Sequence, residues 1–376
     1  DPLPLKHPIT LAIVFNLFWL IITTFTSELP FVSFKFVIAR LWFILSIYYL
    51  GIFIFQRFKN IERFFWLYIT PLTIVIFYTI FRHYSFGFTS KASHWVMWPF
   101  FKDHTSYGAM LVMLFPILFH FLRKPKLPVR FLAGSLIGIF GIAIVLSYTR
   151  AAWLSLLAAL GVYLLYKLKI KFRYVFGAGL LALFVLALNW NQLMIKLNKN
   201  RQNSSVKFSE HIQSMSNVST DASNLERINR WEAAIKMFEE RPVLGWGPGT
   251  YAFLYAPFQH SGSKTIISTN AGNRGNAHSE YIGPMAESGI LGSLSFILIV
   301  ITIYVKASKL YHRTNNKELK ELVLLIICGL TTYIVHGFLN NYLDTDKASV
   351  PFWGMVALLV SLQLYHKNRL IETESQ

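Results

Sequence analysis

Residues 131–148 read FLAGSLIGIFGIAIVLSY and contain no charged side chain. Roughly 20 residues of this kind, wound into a helix, cross the ~30 Å hydrocarbon core of a bilayer. Similar stretches recur along the 376 residues, of which 54% are hydrophobic and only 14% charged. We therefore predict an all-α, polytopic integral membrane protein. About ten transmembrane helices are expected, over residues 9–26, 34–55, 64–81, 105–122, 131–148, 151–167, 173–189, 285–305, 321–340 and 350–366.

The distribution of lysine and arginine predicts how these helices are oriented. One set of alternating loops collects 19 positive residues, in runs such as RKPKLPVR at 123–130, whereas the short loops of the opposite set hold five. Positively charged loops face the cytoplasm, so both chain ends are expected there. The net charge of +18 is then explained by an anionic membrane surface, and no nucleic-acid partner is expected.

The same orientation places one long segment on the outer side of the membrane. We predict three parts: a bundle of seven spans over 1–189, an external loop over 190–284, and a bundle of three spans over 285–376. Long loops are usually either functional or disordered. The chemistry of the protein is therefore expected in the external loop and beside it.

One helix is predicted within the external loop, over residues 224–241. Its apolar residues recur at helical spacing. Arg227 and Arg230 lie one turn apart, and Arg227 precedes Trp231 by four residues, so its guanidinium could rest on the indole. On spacing alone, an amphipathic helix that lies on the membrane surface is the plainer interpretation.

The external loop ends with NAHSEYIGPMAESGILGSL, residues 276–294, which leads into the next span. His278 and Glu287 are thereby placed near the outer boundary of the membrane. His278 is a candidate general base because the charge of imidazole changes near neutral pH. A purely structural histidine is the alternative, and Glu287 is a candidate supporting residue.

Further charges lie at the same boundary. Arg150, in SYTRAAW, stands between two apolar stretches, where an ionisable side chain is either functional or anchors a helix end by snorkelling. Asp344 and Asp346 form an Asp-x-Asp that metal-dependent glycosyl transfer can use, although a helix start is the plainer interpretation. No histidine pair has metal-ligand spacing, and the lone Cys328 forms no cysteine site. The sequence therefore predicts no metal site.

Three motifs, taken in order, resemble those of a known family. They are SYTRAAWLSLL, RINRWEAAIKMFEERPVLGWGPGTY and AHSEYIGPMAESGILG. Together with the long loop and the final spans they resemble the O-antigen ligase and O-antigen polymerase family of bacterial envelope glycan transferases, over about residues 105–366. Members typically have twelve spans, so the resemblance implies that two N-terminal spans are absent from this sequence. Family members often have Asn after the histidine, where Ser279 stands here.

The resemblance also implies an activity. It suggests a metal-independent, inverting glycosyltransferase of the bacterial inner membrane that needs no cofactor and acts on the periplasmic face. The donor would be a glycan on undecaprenyl pyrophosphate, and the acceptor a sugar hydroxyl of lipid A-core or of another glycan. Arg150 and Arg227 match the family arginines that would hold the pyrophosphate, with Arg230 as a further cation. His278 matches the family histidine, which would deprotonate or orient the acceptor hydroxyl or bind the donor.

Other functions remain open at this stage. A polymerase of O-antigen or exopolysaccharide, or an enzyme that glycosylates protein, would share the donor and the arginines and differ in the acceptor. An anion transporter could use Arg150 as its binding site. Transporters place their sites in broken helices at mid-membrane, whereas the candidate charges here cluster on one outer face.

Overall fold

The structure is a computed structural model that describes residues 4–170, 222–259 and 275–366, and every regular element within these ranges is a helix. Eight of the described helices are long and apolar enough to cross a membrane. The chain is thus an all-α, multi-pass membrane protein, as the composition predicted. In chain order, the described helices are α1 (Pro8–Phe25), α2 (Pro30–Ile54), α3 (Lys59–Tyr84), α4 (Ser90–Ser93), α5 (His104–Leu122), α6 (Leu127–Leu146), α7 (Arg150–Lys167), α8 (Ala222–Glu240), α9 (Tyr251–Leu254), α10 (Gly283–Arg313), α11 (Lys317–His336) and α12 (Asp346–Tyr365).

Two of the ten predicted spans have no counterpart among the eight described apolar helices. The stretch predicted over 151–167 forms α7, which packs against α5 and α11 but is not among the eight apolar helices, since its 18 residues include a charged residue at each end. The span predicted over 173–189 lies outside the described residues. The division of the chain into three parts at residues 190 and 285 stays a prediction.

Local sequence signals set several helix starts. Proline stands in the first turn of α1 and α2, where its missing N–H group costs no hydrogen bond. Asp103 caps α5 by accepting a hydrogen bond from the backbone N–H of Ser106 at 2.7 Å. Because α2 already begins at Pro30, Arg40 lies inside this span, where it forms an ion pair with Asp344 at 2.8 Å.

α11 runs through the centre of the bundle and packs against α5 and α7. Its residues from Leu322 to Ile334 are buried all round. A helix that is apolar on every side must be enclosed by other helices, which explains the central position. α11 therefore carries its C-terminal end, at His336, into the middle of one end of the bundle.

The basic loops gather at the other end. Lys124, in the loop before α6, contacts both Glu62 at the start of α3 and Glu318 at the start of α11. Lys167, at the end of α7, contacts Glu321 at 2.6 Å. These ion pairs join loops that the charge count assigned to the cytoplasmic side. We call the opposite end, where α5, α7 and α12 begin, the outer end.

A small unit with its own apolar core sits on the outer end. We call it the external unit: α8, the segment from 241 to 259, and residues 275–282. Its core includes Met237, Tyr251 and Tyr255. The glycine-rich turn, PVLGWGPGT at residues 242–250, docks onto a kink in α10. At this kink Gly289 has a φ of +68°, and a β-carbon would lie 2.0 Å from the carbonyl oxygen of Val243. Glycine is therefore required at the kink for the unit to dock.

Candidate active site

Arg150 begins α7 at the outer end, directly after a tight turn. Thr149 in that turn donates a hydrogen bond from its hydroxyl to the carbonyl of His104 at 2.8 Å. The turn packs closely on α5, because a β-carbon at Gly108 would lie only 2.8 Å from the β-carbon of Thr149. These contacts hold the half-buried Arg150 beside the start of α5.

Arg227 reaches the same place from α8. Its Nε donates a hydrogen bond to the carbonyl of Leu339, in the segment that follows α11, at 3.2 Å. Its charge acts on the guanidinium of Arg150. The two arginines that the resemblance assigned to the pyrophosphate are thus brought together, although they are far apart in sequence. The predicted stacking of Arg227 on Trp231 stays a prediction.

His278 lies on the segment that enters α10. Its φ of +50° is unusual for a residue other than glycine, and its backbone N–H donates to Oδ1 of Asn276 at 3.1 Å. Burial, followed by the charges of Arg227 and Arg230, lowers the pKa of His278 to about 3, while a hydrogen bond with Asn340 raises it. The imidazole is therefore neutral at physiological pH, as a general base must be.

Sequence reasoning missed three further residues of this site. Asp103 acts electrostatically on His278 and Arg227, and His104 interacts with the charges of both arginines. His336, at the end of α11, is 1% exposed and interacts with the charge of Arg227. Asp103 and His104 come directly before a predicted span on the outer side, and this position could have indicated them.

Arg230 has a different environment from Arg227. Its Nε donates to Oε1 of Glu226 at 2.8 Å, and both side chains are buried. The guanidinium also lies over the ring of Tyr255 and against Gly275, where a β-carbon would lie 1.8 Å from Nη1. These contacts give Arg230 a structural role inside the external unit. Its predicted role as a further cation for the donor stays a prediction.

Glu287 is turned toward the glycine-rich turn. Its Oε1 accepts a hydrogen bond from the backbone N–H of Tyr251 at 3.1 Å, and its own carbonyl accepts one from Gly247 at 2.7 Å. A β-carbon at Gly245 would lie 2.4 Å from the backbone of Glu287. Glu287 therefore fixes the external unit to α10, and its role as a supporting residue of the site stays a prediction.

Glu280 is a second buried carboxyl group that the sequence did not single out as a site residue. Its Oε1 accepts hydrogen bonds from the Tyr333 hydroxyl at 2.5 Å and from the backbone N–H groups of Tyr342 and Leu343, each at 2.9 Å. Burial, and then the charge of Asp344, raises the pKa of Glu280 to about 7. Glu280 thus holds the segment after α11 in place beneath His278.

The two aspartates of the Asp-x-Asp have separate surroundings. Asp344 pairs with Arg40, whereas Asp346 is the first residue of α12, with Thr345 at the N-cap. This arrangement agrees with the helix-start interpretation. Among the described residues, one group of side chains has metal-ligand geometry: Glu62, His120 and Glu318, at the end of the bundle opposite the site. Lys124 contacts both of its carboxylates.

Comparison with known proteins finds one family to which part of the chain is similar. A search of curated proteins finds no match. The family model for O-antigen ligase matches residues 135–297. The matched segment contains Arg150, Arg227 and His278. Residues 135–297 of this chain are therefore similar to the O-antigen ligase family.

Proposed function

We propose that this protein transfers a glycan from undecaprenyl pyrophosphate to a hydroxyl group of an acceptor sugar, such as that of lipid A-core, on the periplasmic face of the inner membrane. The observation that carries the proposal is that the charge of Arg227 acts on the guanidinium of Arg150 at the outer end. Their charges repel one another, and this repulsion is relieved when an anion binds to both. A guanidinium binds phosphate through two parallel hydrogen bonds, so a pyrophosphate suits the pair.

The chemistry would be one in-line displacement. The acceptor hydroxyl gives its proton to His278 as its oxygen attacks the anomeric carbon, and the bond from that carbon to the pyrophosphate oxygen breaks. The configuration at the anomeric carbon is inverted. Arg150 and Arg227 stabilise the negative charge that develops on the leaving undecaprenyl pyrophosphate. His278 is neutral before the reaction, because burial and the arginines lower its pKa to about 3.

The proposed clamp is tested by substitution in a transfer assay with purified protein. Arg150→Ala and Arg227→Ala should each reduce transfer by about 100-fold or more, which corresponds to roughly 3 kcal/mol of lost transition-state stabilisation. Lysine at either position should restore only part of it, because lysine lacks the planar fork. Arg82→Ala is a matched control, since it removes an arginine that is not assigned to the clamp. The guanidinium of Arg82 instead donates a hydrogen bond to the carbonyl of Trp98 at 2.6 Å. Near-normal transfer by both site variants at normal expression would refute the clamp.

Metal independence is tested separately. Transfer should persist in EDTA, and the double variant Asp344→Ala/Asp346→Ala should lose only a modest part of it. Should EDTA or the double variant stop transfer while His278→Ala leaves it running, the chemistry belongs to the two aspartates.

The acceptor is tested in cells. Deletion of the gene, followed by electrophoresis of lipopolysaccharide and secreted glycan, distinguishes the ligase from its relatives. Loss of every long chain with an intact core supports the ligase, whereas single repeats attached to the core indicate a polymerase.

A further inference from the structure

Three side chains of the kinds that bind metal ions come together at the end of the bundle opposite the candidate active site. Glu62 lies in the first turn of α3, His120 in the last turn of α5 and Glu318 in the first turn of α11. One ligand atom of each lies within 4.8 Å of those of the other two. We call these three residues the inner cluster. The cluster joins helices that are distant from one another in sequence.

His120 distinguishes the inner cluster from a group of surface carboxylates. Its side chain is only 3% exposed, and its Nε2 lies 3.9 Å from Oε1 of Glu318. This distance is too long for a hydrogen bond, and Nε2 has no hydrogen-bond partner among the described residues. Buried polar atoms in proteins are rarely left unpaired. A buried ring nitrogen that faces a carboxylate without bonding to it therefore indicates that a ligand belongs between them.

Lys124 shows that the inner cluster attracts positive charge. Its ammonium group contacts Oε1 of Glu318 and lies 2.5 Å from Oε1 of Glu62. One ammonium group balances the charge of one carboxylate, and it makes no bond to Nε2 of His120. A divalent ion would balance both carboxylates and would also bind the lone pair of the imidazole. Lys124 lies in the loop between α5 and α6, so its long side chain can turn out to solvent and leave room for the ion.

The ligand atoms indicate the class of ion. One imidazole nitrogen and two carboxylate oxygens suit Zn²⁺, which accepts three protein ligands with water in the fourth position. Mg²⁺ and Ca²⁺ prefer oxygen ligands alone. Around a tetrahedral Zn²⁺ the ligand atoms lie roughly 3.4 Å apart, so the inner cluster must close by about 1 Å. The carboxylates can make this movement because the side chains of Glu62 and Glu318 are 38% and 48% exposed.

We propose that Glu62, His120 and Glu318 form a binding site for a divalent transition-metal ion, of which Zn²⁺ fits best. The ion displaces the ammonium group of Lys124 and ties α3, α5 and α11 together. Because the site lies at the opposite end of the bundle from the candidate active site, it goes beyond the proposed function and takes no part in the transfer chemistry. An ion that binds only the folded protein stabilises it.

The test measures zinc binding by the purified full chain in detergent, with any purification tag removed. Competition with a fluorescent zinc chelator gives the affinity and the number of ions, and thermal unfolding gives the stability. We expect one Zn²⁺ ion per chain and a higher unfolding temperature with Zn²⁺, whereas Mg²⁺ at the same concentration should have little effect. Failure to bind Zn²⁺ would overturn the proposal whatever the outcome of the transfer assays.

Lys124→Met is the most informative variant. The apparent affinity of a site is reduced by the fraction of molecules in which the site is open, so removal of the ammonium group should tighten zinc binding about tenfold or more. Glu318→Gln, which changes a half-exposed side chain and keeps its size, should remove the tight binding, as should His120→Ala. His312→Ala is the matched control, since His312 is an exposed histidine near the end of α10, and this variant should bind Zn²⁺ as the unchanged protein does.

Three results would refute the metal site. If Lys124→Met binds no Zn²⁺, the inner cluster is a network of ion pairs only. If Lys124→Met binds Zn²⁺ no more tightly than the unchanged protein does, the ammonium group and the ion do not share a place. If Glu318→Gln and His120→Ala, both folded, bind Zn²⁺ as tightly as the unchanged protein does, the ion is held elsewhere in the chain.

Discussion

Replacing Arg230 with alanine should unfold the external unit. Its guanidinium and the carboxylate of Glu226 are 2.8 Å apart, with side chains only 6% and 4% exposed. Removal of one partner from a buried ion pair leaves the other charge uncompensated, at a cost of about 3–5 kcal/mol. The unit has only a small apolar core, around Met237, Tyr251 and Tyr255. We therefore expect Arg230→Ala to lose the fold of this unit and, with it, transfer.

A double variant distinguishes this structural role from donor binding. Arg230→Met with Glu226→Leu removes both charges and fills the space over Tyr255 with apolar atoms, a change that is often neutral or stabilising. Limited proteolysis and thermal unfolding in detergent measure the fold, and the transfer assay measures function. The double variant should resist protease and transfer glycan, unlike Arg230→Ala. If it is folded but inactive, Arg230 takes part in the chemistry, and the structural assignment is wrong.

Four further outcomes are expected. Because burial and two neighbouring arginines lower the pKa of His278 to about 3, transfer should change little between pH 7 and pH 5. An unperturbed imidazole would be only about 3% neutral at pH 5. A steep loss of transfer with the fold retained would therefore contradict the assignment of His278 as a base that is neutral at pH 5. Gly289→Ala should lower the thermal unfolding temperature, because a β-carbon there meets backbone 2.0 Å away, whereas Gly138→Ala, with nothing within 4 Å, should not. Burial and a neighbouring carboxyl group raise the pKa of Glu280 to about 7, above its value in the unfolded chain. The contribution of Glu280 to stability is therefore full at acidic pH and is lost as the pH rises through 7. Glu280→Gln should flatten the dependence of the thermal unfolding temperature on pH. A cysteine at Ser214 should react with an impermeant maleimide in intact cells; labelling only after lysis would reverse the predicted orientation.

The family motifs led to Arg150, Arg227 and His278, but the sequence could not show that they meet. They lie on α7, on α8 and before α10, and only the docking of the external unit on the bundle brings them together. Asp103 and His336 gave no motif, because their places in the site depend on contacts between distant segments. The pair Glu226 and Arg230 has i,i+4 spacing, so the sequence did contain the signal for that ion pair.

The sequence by itself determined that this is a multi-pass helical membrane protein, and it located the eight apolar helices that the structure describes. Each span is a local property, since a run of apolar residues is long enough for the bilayer or it is not. The tertiary structure decided which ionisable groups are functional candidates and which are structural. Arg227 and Arg230 stand one turn apart on one helix, yet one faces Arg150 and the other a buried carboxylate. The difference arises from the partner that each side chain reaches, because Arg227 bonds to the carbonyl of Leu339 at the outer end of the bundle, whereas Arg230 is held by Glu226 inside the external unit.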